Sequence, residues 1–338
     1  MTTIVHWFRR DLRVEDNTSL AAAARDADRV VPVFVLDDHY ARDPDVGPAR
    51  FRFLRESLEN LERTLAGAGG RLVVRRGPAS RALPDLLVET GASAVYANLE
   101  IGPYPERRDR EARAAVEEAG ARFRLFADAL LVEPDSIATD AGDPYTVYSP
   151  FSRKWTAAEK SPPFAAPRRL ATPELPGVPL ARVRAWRDLA PCPNSPRGGE
   201  SEASRLLAEF AAHGLGRYAS DRDFPARDGT SRLSPHLHFG TISPRTVLAA
   251  VRKSGAPARK FELELAWREF FHHLLFHFGN VAQESFRPEF RDFPWRENRL
   301  AVAAWQEGRT GYPLVDAAMR ELATTHWMHN RARMVVAS

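Results

Sequence analysis

The sequence is short of several things at once. Cysteine occurs once, as Cys192, so no internal disulfide forms and the composition suits a reducing, cytoplasmic setting. Pro191 and Pro193 place that thiol in a proline-rich stretch, which argues for an inert side chain rather than a nucleophile. No apolar run approaches the roughly 18–20 residues that a bilayer span requires. The opening residues, Met1 to His6, lack the basic region of a signal peptide, so no membrane association is expected. No G-x-G-x-x-G follows the first apolar run and no Walker loop exists, which sets aside dinucleotide dehydrogenases and P-loop enzymes. His272, His273 and His277 lack the H-E-x-x-H spacing, so no metal site is expected. Lysine is scarce too, at four of 48 basic residues, which leaves arginine as the cation of this chain.

What is present points to two domains. A chain of 338 residues exceeds one ordinary domain, and 44% hydrophobic with 27% charged residues is a globular composition. Net charge is only +4, but its placement is uneven. Residues 1–200 balance 29 basic against 29 acidic residues, so the excess lies wholly in residues 201–338. Arginine forms bidentate pairs with phosphate, and that half therefore suits a nucleic-acid surface, although charge alone supports this only weakly.

The first 130 residues alternate strand and helix. Apolar runs at 4–8, 29–36, 71–75, 94–98 and 122–126 are rich in Val, Phe and Leu. Helical patterns at 19–25, 48–66, 80–90 and 106–119 separate them. The alternation predicts an α/β domain over 1–130 with a doubly wound, Rossmann-like parallel sheet. Such sheets bind ligands beyond the carboxyl ends of their strands, which here carry Arg9-Arg10-Asp11, Asp37-Asp38 and Asn98-Leu99-Glu100. Residues 131–200 read as a linker, with nine of the 26 prolines in 161–200. Residues 201–338 then read as all-α, with helices over 202–213, 243–254, 260–278, 301–307 and 312–338.

Three segments carry chemistry. Thr230-Ser231-Arg232-Leu233-Ser234-Pro235 sets three hydroxyls before a helix that Ser234 can cap, which is an ordinary capped start or a phosphate seat. In the 260–278 helix, Leu263, Trp267, Phe270, Phe271, Leu274 and Phe278 read as the inward face, and Glu264 can pair with Arg268 four residues on. Near the end, Trp327, Asn330 and Arg333 are spaced by three and would face one partner on a helix.

Together with His6-Trp7-Phe8-Arg9-Arg10-Asp11-Leu12-Arg13, these motifs resemble the photolyase/cryptochrome family, closest to the bacterial photolyases that repair cyclobutane pyrimidine dimers. The resemblance runs from His6 to Ser338 and implies an FAD-binding helical domain and ultraviolet-damaged DNA as partner, with the chain acting as a monomer. It implies that Tyr218, Thr230, Ser231, Leu233, Ser234, Arg268, Trp327, Asn330 and Arg333 contact FAD. Glu264 and Trp267 then match the acid and the aromatic wall that meet the damaged bases. Arg222, Asn330, Arg331 and Met334 match DNA or lesion contacts, and Trp295 the outermost tryptophan of the electron relay. A cryptochrome-type blue-light sensor without repair activity is the alternative.

The resemblance also bears on a second chromophore. Asp37, Arg50 and Glu100 resemble the pocket of a deazaflavin- or FMN-type antenna. Folate-using members carry Asn-Glu where this chain has Pro105-Glu106. The family glycine before the tryptophan is His326 here, which puts the local backbone in question. Family members continue past the position of Ser338, so the helical domain is expected to hold only the N-terminal half of its fold. The chain as it stands is then expected to retain FAD poorly and to be inactive.

Overall fold

The computed structural model describes residues 1–37, 46–183 and 192–338; Asp38, named above, lies outside them. Strands β1 (Thr3–Phe8), β2 (Arg29–Leu36), β3 (Val73–Arg76), β4 (Ala94–Asn98) and β5 (Arg122–Phe126) form one sheet in the order β3-β2-β1-β4-β5. Every pairing is parallel. Because successive side chains point to opposite faces, Ile4 and Phe8 enter one apolar core while Val5 and Trp7 enter another. Helices α1 (Thr18–Asp26), α2 (Pro48–Gly67), α3 (Ala79–Thr90) and α4 (Pro103–Glu118) supply the crossovers. Asn17 caps α1 by accepting from the Leu20 amide. The chain winds outward from β1 to β3 and returns at β4, so the switch point lies between β1 and β4. Both cavities described below open there.

The rest is helical. The segment expected as a linker contains α5 (Tyr148–Ala157), whose Phe151 and Trp155 are fully buried in a third core, formed with the helices of the second half. The order continues with α6 (Glu200–Glu209), α7 (Tyr218–Asp221), α8 (Ser234–Phe239), α9 (Pro244–Lys253) and α10 (Arg259–His277). Then come α11 (Arg299–Gln306), α12 (Pro313–Thr325) and α13 (Asn330–Val336).

Three local expectations need correction. The single helix expected over 312–338 is two, because His326 sits at φ 56° in the left-handed region and ends α12. Its imidazole Nδ1 is hydrogen-bonded to Ser195 Oγ, which helps to hold a conformation that costs a non-glycine residue about 1–2 kcal/mol. In α10 the buried residues are Phe261, Leu265, Ala266, Glu269, Phe270 and His273, whereas Trp267 and Phe271 turn outward. That helix is apolar on two sides, and packing against α5 selects which one is core. Ser234 opens α8 rather than capping it: the cap residue is Leu233, without a side-chain bond.

The two halves are joined by buried charge. Arg245 on α9 reaches Asp16 at 2.9 Å and Asp128 at 2.9 Å, and Arg13 reaches Asp128 at 2.6 Å. Gly240, at φ 64°, lies so close to the Arg10 carbonyl that any Cβ there would collide with it.

Candidate functional site

A cavity of about 560 Å³ opens between the carboxyl end of the sheet and the helices. One wall is Arg9, Arg10, Asp11 and Arg13 after β1, with Asn98, Leu99 and Glu100 after β4. The other walls bring together Tyr218, Thr230, Ser231, Leu233, Ser234, Glu264, Trp267, Arg268, Trp327, Asn330 and Arg333. Trp327, Asn330 and Arg333 meet here although Trp327 does not share the helix of the other two. Trp327 lies in the bend after His326 and Asn330 is the first residue of α13. Arg232, at φ 53°, places its guanidinium 4.7 Å from the Trp327 ring centre. Such a cation above a ring is held by the ring quadrupole.

Glu264 and Arg268 do not pair with each other. Arg268 donates to the Ala129 carbonyl at 2.8 Å, and Glu264 is clamped by Arg222. Four charges run in sequence away from the cavity wall: Glu264 to Arg222, Arg222 to Asp223 at 3.6 Å, and Asp223 to Arg331 at 2.7 Å. Arg222 is buried between the two acids, whereas Arg331 and Asp223 remain accessible. Met334 is exposed and lies 3.4 Å from an Arg331 nitrogen. Trp295 stands away from the cavity, 79% exposed, against Phe293.

A second cavity, of about 310 Å³, brings together Asp37, Arg50 and Glu100. Tyr104 donates to Asp37 at 2.5 Å, while Arg10 and Arg108 both reach Glu100 at 2.5 Å. Burial alone would raise the Glu100 carboxyl, but Arg10 and Arg108 hold it well below the usual carboxylate range. Pro105 lines this cavity too. Arg9, Arg10, Glu100 and His238 line both cavities and form their common wall. Burial, with Arg10 and Arg50 nearby, pushes His238 down to about 4, so it is neutral at pH 7.

Sequence reasoning missed several of these residues. Arg9, Arg10, Asn98 and Glu100 were legible as strand ends, but nothing local shows that helices close over them. Glu269 left no signal beyond its place beside Arg268. It is buried, accepts from the Leu131 and Val132 amides and the Trp155 indole, and is raised to about 7 chiefly by burial. Among the described residues no cluster of His, Cys, Asp or Glu is arranged to hold a metal. His273 instead accepts from the Tyr145 amide at 3.1 Å, and His272 bonds the Arg268 carbonyl at 2.8 Å.

The comparisons with known proteins agree with this geometry. Residues 4–168 match the DNA photolyase family model, and residues 261–338 match the model for the FAD binding domain of DNA photolyase. A Synechococcus protein named deoxyribodipyrimidine photo-lyase is 38% identical, over 99% of this chain and 73% of its own. A Streptomyces griseus protein of the same name is 39% identical, over 100% and 74%. Among solved structures, a bacterial class III photolyase from Agrobacterium tumefaciens superposes with a TM-score of 0.90 at 36% identity, over 100% of this chain and 72% of that one. A Sulfolobus tokodaii photolyase described with two FAD molecules gives 0.88 at 31%, over 99% and 74%. A Synechocystis cryptochrome gives 0.91 at 26%, over 100% and 74%. The chain belongs to the DNA photolyase family.

The large cavity fits FAD on its own chemistry. Arg9, Arg10, Arg13, Arg268 and Arg333 all line it, and such a set of guanidinium groups suits an anionic diphosphate. Thr230, Ser231 and Ser234 add hydroxyls, while Leu233, Ile242 and Trp327 offer apolar contact for a ring.

Proposed function

We propose, in place of the inactivity expected from the sequence, that this chain carries out light-driven repair of cyclobutane pyrimidine dimers in DNA, with FAD in the large cavity and the lesion at its mouth. The observation that carries this reading is that Glu264 and Trp267 stand in the wall of the same cavity as Thr230, Ser231, Trp327 and Arg333. When bound and reduced, FAD supplies the electron that opens the dimer. The protein residues do the rest. Tyr218, Thr230, Ser231, Leu233 and Ser234 receive the phosphates and sugar chain, and Arg268, Trp327, Asn330 and Arg333 enclose the ring side.

A dimer turned out of the duplex stacks on Trp267, and Glu264 accepts from its base edge. Glu264 is held by Arg222 before DNA arrives, so the pair keeps the acid aimed. Arg222, Arg331 and Asn330 approach the DNA backbone or lesion, Met334 contacts the lesion, and Trp295 is the outer member of the electron relay. The small cavity takes a deazaflavin or FMN rather than a folate, through Asp37, Arg50 and Glu100. The protein acts as a cytoplasmic monomer.

The test supplies excess FAD, reductant and blue light and counts dimers in an irradiated oligonucleotide. Dimers should disappear in the light and persist in the dark. Flavin-loaded protein that leaves dimers untouched in the light overturns the repair reading. That outcome favours the blue-light sensor, a second reading supported by the cryptochrome's TM-score of 0.91.

A further inference from the structure

Trp267 offers a bound base only one of its faces. The other is covered by Tyr148, whose ring centre lies 3.5 Å away with the planes 7° apart. Tyr148 does not line the cavity; it stands behind Trp267 as the first residue of α5. Its hydroxyl donates to the Leu263 carbonyl at 2.9 Å. Leu263 is four residues before Trp267 on α10, so that carbonyl is the one an α-helix directs to the Trp267 amide. Tyr148 thus registers on Trp267 twice, through the ring and through the backbone turn that carries it. Phe270 meets the Trp267 ring edge-on at 5.9 Å and 79°, which limits rotation about the remaining direction. An indole that is 37% exposed on a helix surface would otherwise be free to change rotamer.

We infer that Tyr148 is a positioning residue: it fixes the plane of Trp267 so that a flipped, damaged base meets a preset stacking surface. The inference rests on the reading of Trp267 as the lesion wall. A wall that must be ordered on binding loses part of its stacking gain to that ordering. A wall backed by a parallel ring does not. α5 lies in the segment that reads as a linker, so the sequence gives no hint of the contact.

The experiment compares the full chain with Tyr148→Phe and Tyr148→Leu in two measurements. In competition binding, Tyr148→Leu should lower the preference for irradiated over intact oligonucleotide by about two- to tenfold, the range of an aromatic pair. Affinity for intact DNA and its salt dependence should stay unchanged. Tyr148→Phe keeps the stack and should retain most of the preference. In the second measurement, 5-fluorotryptophan is incorporated and the Trp267 fluorine resonance is assigned by its loss in Trp267→Phe. That resonance should move in Tyr148→Leu and move much less in Tyr148→Phe. A resonance that stays put, or a full damage preference in folded Tyr148→Leu, overturns the inference. If the unmodified chain itself does not discriminate damaged DNA, the lesion-wall reading fails, and with it the damage-specific role assigned to Tyr148. A moved fluorine resonance would then leave Tyr148 as a packing partner only.

Discussion

The two cavities share a wall but differ in how their charges are settled. In the small one the charges named here are largely matched: Glu100 is held between Arg10 and Arg108, and Asp37 accepts from Tyr104. In the large one Arg268 and Arg333 bond only backbone carbonyls, those of Ala129 and Met328, among the described residues. A cavity whose ions already satisfy one another suits a chromophore recognised by shape and a few hydrogen bonds. One with unspent donors suits a ligand that brings negative charge of its own. The contrast arises at the switch point of the sheet, where β1 and β4 each send residues to both sides.

The strongest way to break the comparison is to remove the acid beneath the large cavity. Asp128→Ala leaves Arg13 and Arg245 without their shared carboxylate, and both are nearly solvent-free. Losing one partner of a buried pair costs about 3–5 kcal/mol. Chemical denaturation should show that loss, together with loss of the large-cavity ligand.

Trp267→Ala separates the cavities instead. It should remove about 1–3 kcal/mol of stacking on damaged DNA. The occupant of the small cavity should be unaffected. Arg50→Ala should do the reverse. Arg50 is exposed and lines only the small cavity, so its loss should weaken deazaflavin or FMN there by about 1 kcal/mol and leave FAD affinity unchanged. Tight folate binding at that cavity would contradict the assignment.

The last expected effect is with pH, and it is spread over several residues. His236, His238 and His272 are each pushed down to about 4, chiefly by burial. The unfolded chain then binds their protons first, near pH 6.5. Their stabilisation is complete above that pH and is lost as pH falls towards 4. Glu269, raised to about 7, acts oppositely: its contribution is present below its ordinary value near 4.5 and is lost as pH rises to 7. His6, pushed down to about 3 chiefly by burial, acts with the other histidines, so thermal stability should fall between pH 6.5 and 5. His272→Gln should flatten that slope by up to about 1 kcal/mol per pH unit.

How much of this was legible in the sequence divides along the same physical line. The parallel sheet was readable because buried strands such as Arg29–Leu36 are near-continuous apolar runs between capped helices. The cavity residues were nameable as motifs, but not their geometry. Trp327 and Asn330 looked like neighbours on a helix, yet a left-handed His326 separates α12 from α13 and the cavity itself reunites them. Glu264 and Arg268 looked paired because they are four apart, whereas Arg222, 42 residues away, wins the acid. Tyr148 and Glu269 were invisible because their partners come from other elements and no local pattern encodes them.

The central claim is that flavin and damaged base occupy one cavity. The direct measurement adds irradiated and intact oligonucleotides to FAD-loaded protein in the dark and follows the flavin absorption and fluorescence. Irradiated DNA should perturb the flavin spectrum, intact DNA should not, and Trp267→Ala should abolish the difference. A flavin spectrum indifferent to damaged DNA that is demonstrably bound would place the two ligands apart and contradict the account.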